Sequence, residues 1–129
     1  MGDPAGRWQL PRARTGRIDR PVNPPEEIAP AELAALLEDD PTVQLVDVRE
    51  TWEAELAAIP GAMVLPLGRL PELTDALDPD RPIVTYCHHG IRSAQAAQYL
   101  LANGFDDVRH LAGGIDAWAV EVDPELRRY

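Results

Sequence analysis

Ile83-Val84-Thr85-Tyr86-Cys87-His88-His89-Gly90-Ile91-Arg92-Ser93 decides the fold. Its first four residues, β-branched or aromatic, read as a strand that ends directly at a cysteine. A short loop containing Gly90 follows. A helix is expected to start near Ser93, because Ala94, Ala97, Leu100 and Leu101 recur on one helical face. Asn103-Gly104 closes that helix, with Phe105 placed to contact Leu100 as in a glycine C-cap.

The same alternation extends outward in both directions. Pro30 stands where a first helical residue is tolerated, and Leu33, Leu36 and Leu37 follow up to the acidic stop Glu38-Asp39-Asp40-Pro41. Val43 to Val48 is mostly apolar and reads as an interior strand. A weaker helix is expected over Glu50 to Leu56, a second strand over Met63-Val64-Leu65, and helical spacing over Leu70, Leu73 and Leu77. Val108 to Leu111 is a last strand, and Gly113-Gly114 opens a short helix containing Trp118. Links too long for hairpins join these strands, which implies an α/β fold with a parallel sheet covered on both faces. Sites in such sheets form beyond the carboxyl ends of the strands, where Cys87 stands.

At 129 residues the chain fits one domain, and 45% hydrophobic with 26% charged residues is ordinary for a soluble globular protein. No apolar run approaches the roughly 20 residues of a spanning helix, and the N-terminus lacks the apolar stretch of a secretion signal. A cytoplasmic location is therefore expected. Residues 1–22 hold five Arg against Asp3 and Asp19, broken by Gly and Pro, and are expected to form a flexible arm ahead of a domain over 23–129. Beyond the arm, 7 Arg face 20 acidic residues, a net of −13 within a total of −10. That charge repels phosphate, so neither nucleic acid nor an anionic membrane is expected as a partner. An anionic substrate must be captured locally.

One cysteine excludes an internal disulfide and leaves a free thiol. A lone cysteine is more often a small buried hydrophobe than a nucleophile. At Cys87, however, backbone N–H groups from His88 to Ser93 converge beside a helix N-terminus, an anion cradle. Such a field favours a thiolate over a thiol and would hold an anionic sulfur donor against it. Arg92 adds a planar charged fork suited to sulfonate or phosphate oxygens. His88 and His89 raise the question of a metal, but consecutive residues point different ways, no Cys-x-x-Cys occurs, and His110 is on a separate strand; no metal is expected. Asp47, at a strand end beside Arg49, reads as a loop brace in preference to a general base. Trp118 reads as core, and Trp8 and Trp52 carry no site signal.

The Cys87–Ser93 loop resembles the active-site loop of rhodanese domains, and three flanking motifs agree: Asp47-Val48-Arg49-Glu50, Ile59-Pro60-Gly61-Ala62 and Gly113-Gly114-Ile115-Asp116-Ala117-Trp118. The likeness runs from near Ile28 to the end. Many members carry His before the Ile-x-Gly-Ala motif, where this chain has Ala58. The closing Asp123-Pro124 to Tyr129 is similar to rhodanese domains fused to adenylyltransferases that activate sulfur-carrier proteins. The resemblance implies a rhodanese-like sheet of about five parallel strands with helices on both faces.

It also implies a double displacement without metal or organic cofactor. Cys87 would take sulfane sulfur from a small donor such as thiosulfate and pass it, as a persulfide, to cyanide or to a small-molecule or protein thiol. His88, His89, Gly90, Ile91, Arg92 and Ser93 would bind substrate, with Asp47 and Arg49 in support. Two rivals stand beside this reading. Cysteine phosphatases and arsenate reductases of the same fold have five residues between Cys and Arg, whereas four separate Cys87 from Arg92. Non-catalytic rhodanese-like interaction modules usually lack the cysteine.

Overall fold

Strand burial alternates between two helix layers, one on each face of a single sheet. The computed structural model describes residues 24–129, so the expected arm over 1–22 lies outside the described residues. In chain order the elements are β1 (Glu26–Ile28), α1 (Pro30–Asp39), β2 (Gln44–Asp47), α2 (Thr51–Leu56) and β3 (Met63–Val64). A segment of short helical turns with α3 (Leu70–Leu73) at its centre leads to β4 (Ile83–Tyr86), α4 (Ile91–Ala102), β5 (Val108–Leu111) and α5 (Gly114–Glu121). All pairings are parallel, in the order β1-β5-β4-β2-β3. No helix among the described residues is long and apolar enough to cross a membrane.

Side chains on β4 point alternately to the two layers. Ile83 and Cys87 join a cluster with Ala96, Ala97, Leu100 and Phe105 from the α4 side, while Val84 and Tyr86 join Leu33, Ile115 and Trp118 from the α1 and α5 side. Trp118 is therefore core, as read from the sequence. Every residue of β2 and β4 is buried, as the largely apolar β4 suggests, with Gln44 and Asp47 of β2 buried too.

Three local departures have physical reasons. The strand β1 carries Glu26 and Glu27 exposed and only Ile28 buried, so no alternation signals it; pairing with β5 makes it a strand. The Leu70, Leu73 and Leu77 segment does not form one helix. A four-residue α-helix, with Pro71 tolerated in its first turn, lies between two 3-10 turns, Leu67–Arg69 and Thr74–Ala76, so Leu70 and Leu73 share one short helix and Leu77 follows the next turn. The helix α4 begins at Ile91, two residues early, because Gly90 at φ +114° reverses the chain there. Its far end matches the expected glycine closure: the Phe105 amide donates to the Leu100 carbonyl at 3.1 Å.

The topology positions the site. From β2 the chain moves outward to β3, whereas from β4 it moves the opposite way to β5. The links after β2 and β4 diverge, and a crevice opens between them at the carboxyl edge of the sheet. The α5 N-terminus closes against the loop after β4: Ile115 N–H donates to the Cys87 carbonyl at 2.8 Å and Asp116 N–H to the His88 carbonyl at 3.1 Å. This approach needs Gly114, at φ +66°, because a Cβ there would overlap the His88 carbonyl.

Gly114→Ala is expected to lower stability by at least about 2 kcal/mol, from left-handed strain added to steric overlap. Gly68→Ala, with open space around it, should change stability by less than about 0.5 kcal/mol. Urea unfolding midpoints of the two variants check the contrast.

Candidate active site

Two of the loop amides expected to form an anion cradle reach the sulfur. Gly90 N–H donates to Cys87 Sγ at 3.1 Å and Ser93 N–H at 3.3 Å. The Ser93 hydroxyl stands 3.5 Å from the sulfur and donates to the Gly90 carbonyl at 3.3 Å. Ser93 is anchored from below by Thr85, whose hydroxyl donates to the Ser93 carbonyl at 2.9 Å. With Cys87 only 1% exposed, the thiol lies at the base of its loop, at the head of the 12-residue helix α4. The dipole of that helix favours negative charge on the sulfur.

The other loop side chains turn outward or aside. Ile91 is 73% exposed, its side chain turned to solvent. The His88 ring stacks on His89 at 4.0 Å and on Tyr129 at 3.9 Å, nearly parallel to the latter at 6°. Burial pushes the His88 pKa down, helped by the neighbouring His89 and opposed by a hydrogen bond with the Tyr129 backbone. Its Nε2 is buried without a hydrogen-bond partner. Both histidines thus frame the loop through stacking.

Asp47 and Arg49 form the buried brace read from the sequence. The Asp47 carboxylate accepts from Arg49 Nε at 2.9 Å, Arg49 Nη2 at 2.6 Å, the Arg49 amide at 3.0 Å and the Tyr86 hydroxyl at 2.9 Å. Arg49 reaches further, donating to the Ala57 carbonyl at 2.7 Å, the Glu53 carbonyl at 3.3 Å and the Tyr129 hydroxyl at 2.7 Å. The five guanidinium donors therefore meet five acceptors. Burial works against the Arg49 cation, but the hydrogen bonds to Asp47 and Tyr129 outweigh it and raise its pKa. Burial also raises the Tyr86 phenol, with the nearby Asp47 charge adding to it.

Arg92 departs from the free fork expected of it. Its Nη1 and Nη2 donate to Glu53 Oε1 at 2.6 Å and Oε2 at 2.9 Å, a two-pronged ion pair joining α4 to α2. The pair is lopsided in exposure: the Arg92 side chain is 34% open and that of Glu53 5%. Glu53 also accepts from the Glu50 amide at 3.0 Å, as the third residue of a capping box, and from the Tyr129 hydroxyl at 2.9 Å. The Arg92 fork, aided by the Glu50 and Tyr129 bonds, lowers the Glu53 pKa to about 2. Sequence reading gave no site role to Glu53, Tyr86 or Tyr129. Glu53 lay within the weaker helix expected over Glu50 to Leu56, and no local pattern tied Tyr129 to residues 76 and 80 positions earlier.

Residues 29–121 match the family model described as Rhodanese-like domain. The chain is 41% identical over 93 residues to a sulfurtransferase of Allochromatium vinosum, covering 72% of this chain and 87% of that protein. It is 38% identical over 111 residues to the probable adenylyltransferase/sulfurtransferase MoeZ of Mycobacterium tuberculosis, spanning 79% of this chain but only 26% of MoeZ. Likewise it spans 38% of the Arabidopsis thaliana chloroplastic rhodanese-like/PpiC domain-containing protein 12, at 36% identity and 82% of this chain. Among solved structures, a rhodanese-like domain protein from Staphylococcus aureus superposes with a TM-score of 0.70 at 32% identity, covering 81% of this chain and 98% of that one. A Rhodopseudomonas palustris protein of unknown function, described as a possible tyrosine phosphatase, superposes with a TM-score of 0.69 at 29% identity, covering 89% and 95%. The chain belongs to the rhodanese-like domain family, and its relatives include proteins named sulfurtransferases.

The Glu53 ion pair makes acid stability testable. A carboxyl held at about 2 against an ordinary 4.5 stabilises the fold fully above about 4.5, and the contribution fades as pH falls toward 2. The shift corresponds to a stabilisation on the order of 3 kcal/mol. Glu53→Gln should therefore be less stable than the parent at neutral pH, with the difference shrinking across that window, as urea unfolding at stepped pH will record.

Proposed function

We propose that the chain is a sulfurtransferase that carries sulfane sulfur as a persulfide on Cys87. The observation that carries this reading is the sulfur itself, set at a strand end with the Gly90 and Ser93 amides on it at 3.1 and 3.3 Å. The Cys87 thiolate attacks the outer sulfur of a donor such as thiosulfate. A new bond forms between Sγ and that sulfur, the bond to the sulfonate breaks, and sulfite leaves with the electron pair. An acceptor thiolate or cyanide then attacks the terminal sulfur, and Cys87 returns as thiolate. No net oxidation occurs and no metal or organic cofactor is needed.

The loop from His88 to Ser93 supplies preorganised dipoles to the negative sulfur in each step. Arg92 supports donor capture from the rim of the loop, as a cation with 34% of its side chain open to solvent. Asp47 and Arg49 support the site by fixing the loop after β2 and touch no reacting atom.

A phosphatase reading draws on the likeness to the possible tyrosine phosphatase. Against it stand the four residues between Cys87 and Arg92. A loop of this size suits a single sulfur better than a tetrahedral phosphoryl group.

After incubation with thiosulfate and desalting, intact mass spectrometry should find the protein heavier by one sulfur atom, released by added thiol. Cys87→Ser should fold normally and carry none. Full thiosulfate:cyanide transfer in that variant, or aryl-phosphate turnover lost with it, would sink the proposal. Arg92→Lys keeps the charge but loses the planar fork, so the Michaelis constant for thiosulfate should rise about tenfold. Equal kinetics in Arg92→Lys and Arg92→Ala at the parental level would remove Arg92 from donor capture.

A further inference from the structure

Most charge in the site is paired before any donor arrives, and the pairing has a consequence for which donors the site accepts. Glu53 engages both Nη atoms of Arg92, the end-on face with which a guanidinium best grips two oxygens of a sulfonate. Its carboxylate does not drift away readily. It is held by the Glu50 amide and the Tyr129 hydroxyl, and Tyr129 is held in turn by Arg49. The carboxylate, with 5% of its side chain exposed, is fixed within the protein, whereas the cation at 34% is the partner open to solvent.

We infer that Glu53 is a specificity-determining residue, which competes with oxyanion donors for the Arg92 fork and so favours sulfane donors of low charge, such as the persulfide of a neutral thiol. The inference rests on the sulfurtransferase reading above. A dianion such as thiosulfate must displace a resident carboxylate and then share space with it, in a chain of net charge −10. A neutral thiol persulfide, R–S–SH, needs no such exchange. The Cys87 thiolate attacks its outer sulfur, the Sγ–S bond forms as the inner S–S bond breaks, and R–S⁻ leaves. The outer sulfur's proton passes to the leaving thiolate, so R–SH departs and Cys87 keeps an anionic persulfide, with no external oxidant or reductant.

The experiment separates binding from turnover. In a Cys87→Ser background, which cannot transfer sulfur, the dissociation constant of thiosulfate is measured by calorimetry with and without Glu53→Gln. Glu53→Gln, nearly the same shape, should tighten thiosulfate about tenfold, the scale of one charge-assisted contact. The gain should vanish when Arg92→Ala is added. Tyr129→Phe, which removes one tether of Glu53, should tighten thiosulfate by a smaller factor. With Cys87 present, Glu53→Gln should shift the ratio of loading from thiosulfate to loading from the persulfide of 2-mercaptoethanol about tenfold toward thiosulfate. Weaker thiosulfate binding in a folded Glu53→Gln protein would mean that Glu53 merely aims Arg92, and would overturn the inference. A gain that persists without Arg92 would overturn it too, by reducing it to general charge. A parent protein that never acquires sulfur refutes the sulfurtransferase reading instead, and leaves the binding comparison to be judged alone.

Discussion

A fully buried arginine holds the active-site end of this molecule together. Arg49 has no solvent exposure, and moving its charge out of water costs several kcal/mol even after relaxation. That cost is offset only if every guanidinium proton finds an acceptor. Asp47 supplies two, Ala57 and Glu53 supply carbonyls, and Tyr129 supplies its hydroxyl. One side chain thereby fixes the end of β2, both ends of α2 and the tail beyond α5. Asp47, equally buried, spends its remaining capacity on the Tyr86 hydroxyl, which also accepts from the Ile59 amide. The loop after β2 and the strand under Cys87 are thus bound into one polar network, in which loss of any member strands a buried charge or donor.

The sulfur site leans on that network from the opposite side of the crevice. Gly90 turns the chain into α4, and the Gly113-Gly114 pair lets α5 press its first amides onto the Cys87 and His88 carbonyls. With those carbonyls held away from the sulfur, Gly90 and Ser93 present N–H groups to it instead. The loop geometry is therefore over-determined by two helices that cap it from different directions. Such rigidity is what a site needs when its contribution is dipoles fixed before the reaction starts.

Much of this was legible in the residues because it is local. A β-branched run, a cysteine, a glycine and a helical face define the strand, loop and helix around Cys87 within a dozen positions. The brace of Asp47 and Arg49 was readable because two residues apart at a strand end can meet. The partner of Arg92 was not readable. Glu53 lies 39 positions away and meets it only because α2 and α4 flank the same crevice, a fact of strand order and not of pattern. Tyr129 was hidden for the same reason. The strand β1 escaped notice because an edge strand with two exposed glutamates has no apolar alternation to display. The segment from Leu70 to Leu77 shows the converse, since leucines at helical spacing also reach the core from a short helix and the turn after it.

The charged side chains around the sulfur are paired. Arg49 and Arg92 are matched by Asp47 and Glu53, so the four ionised side chains bound into the site sum to zero. The proposed thiolate or persulfide on Cys87 would add a charge that no unpaired cation in this group balances. What remains to stabilise it is oriented backbone: the Gly90 and Ser93 amides at hydrogen-bond distance and the head of a 12-residue helix. Dipoles of this kind fall off steeply with distance, so they favour charge on the sulfur without drawing every passing anion into the crevice. Under the proposed function, negative sulfur would rest on the Gly90 and Ser93 amides while the paired cations leave the surrounding site close to neutral.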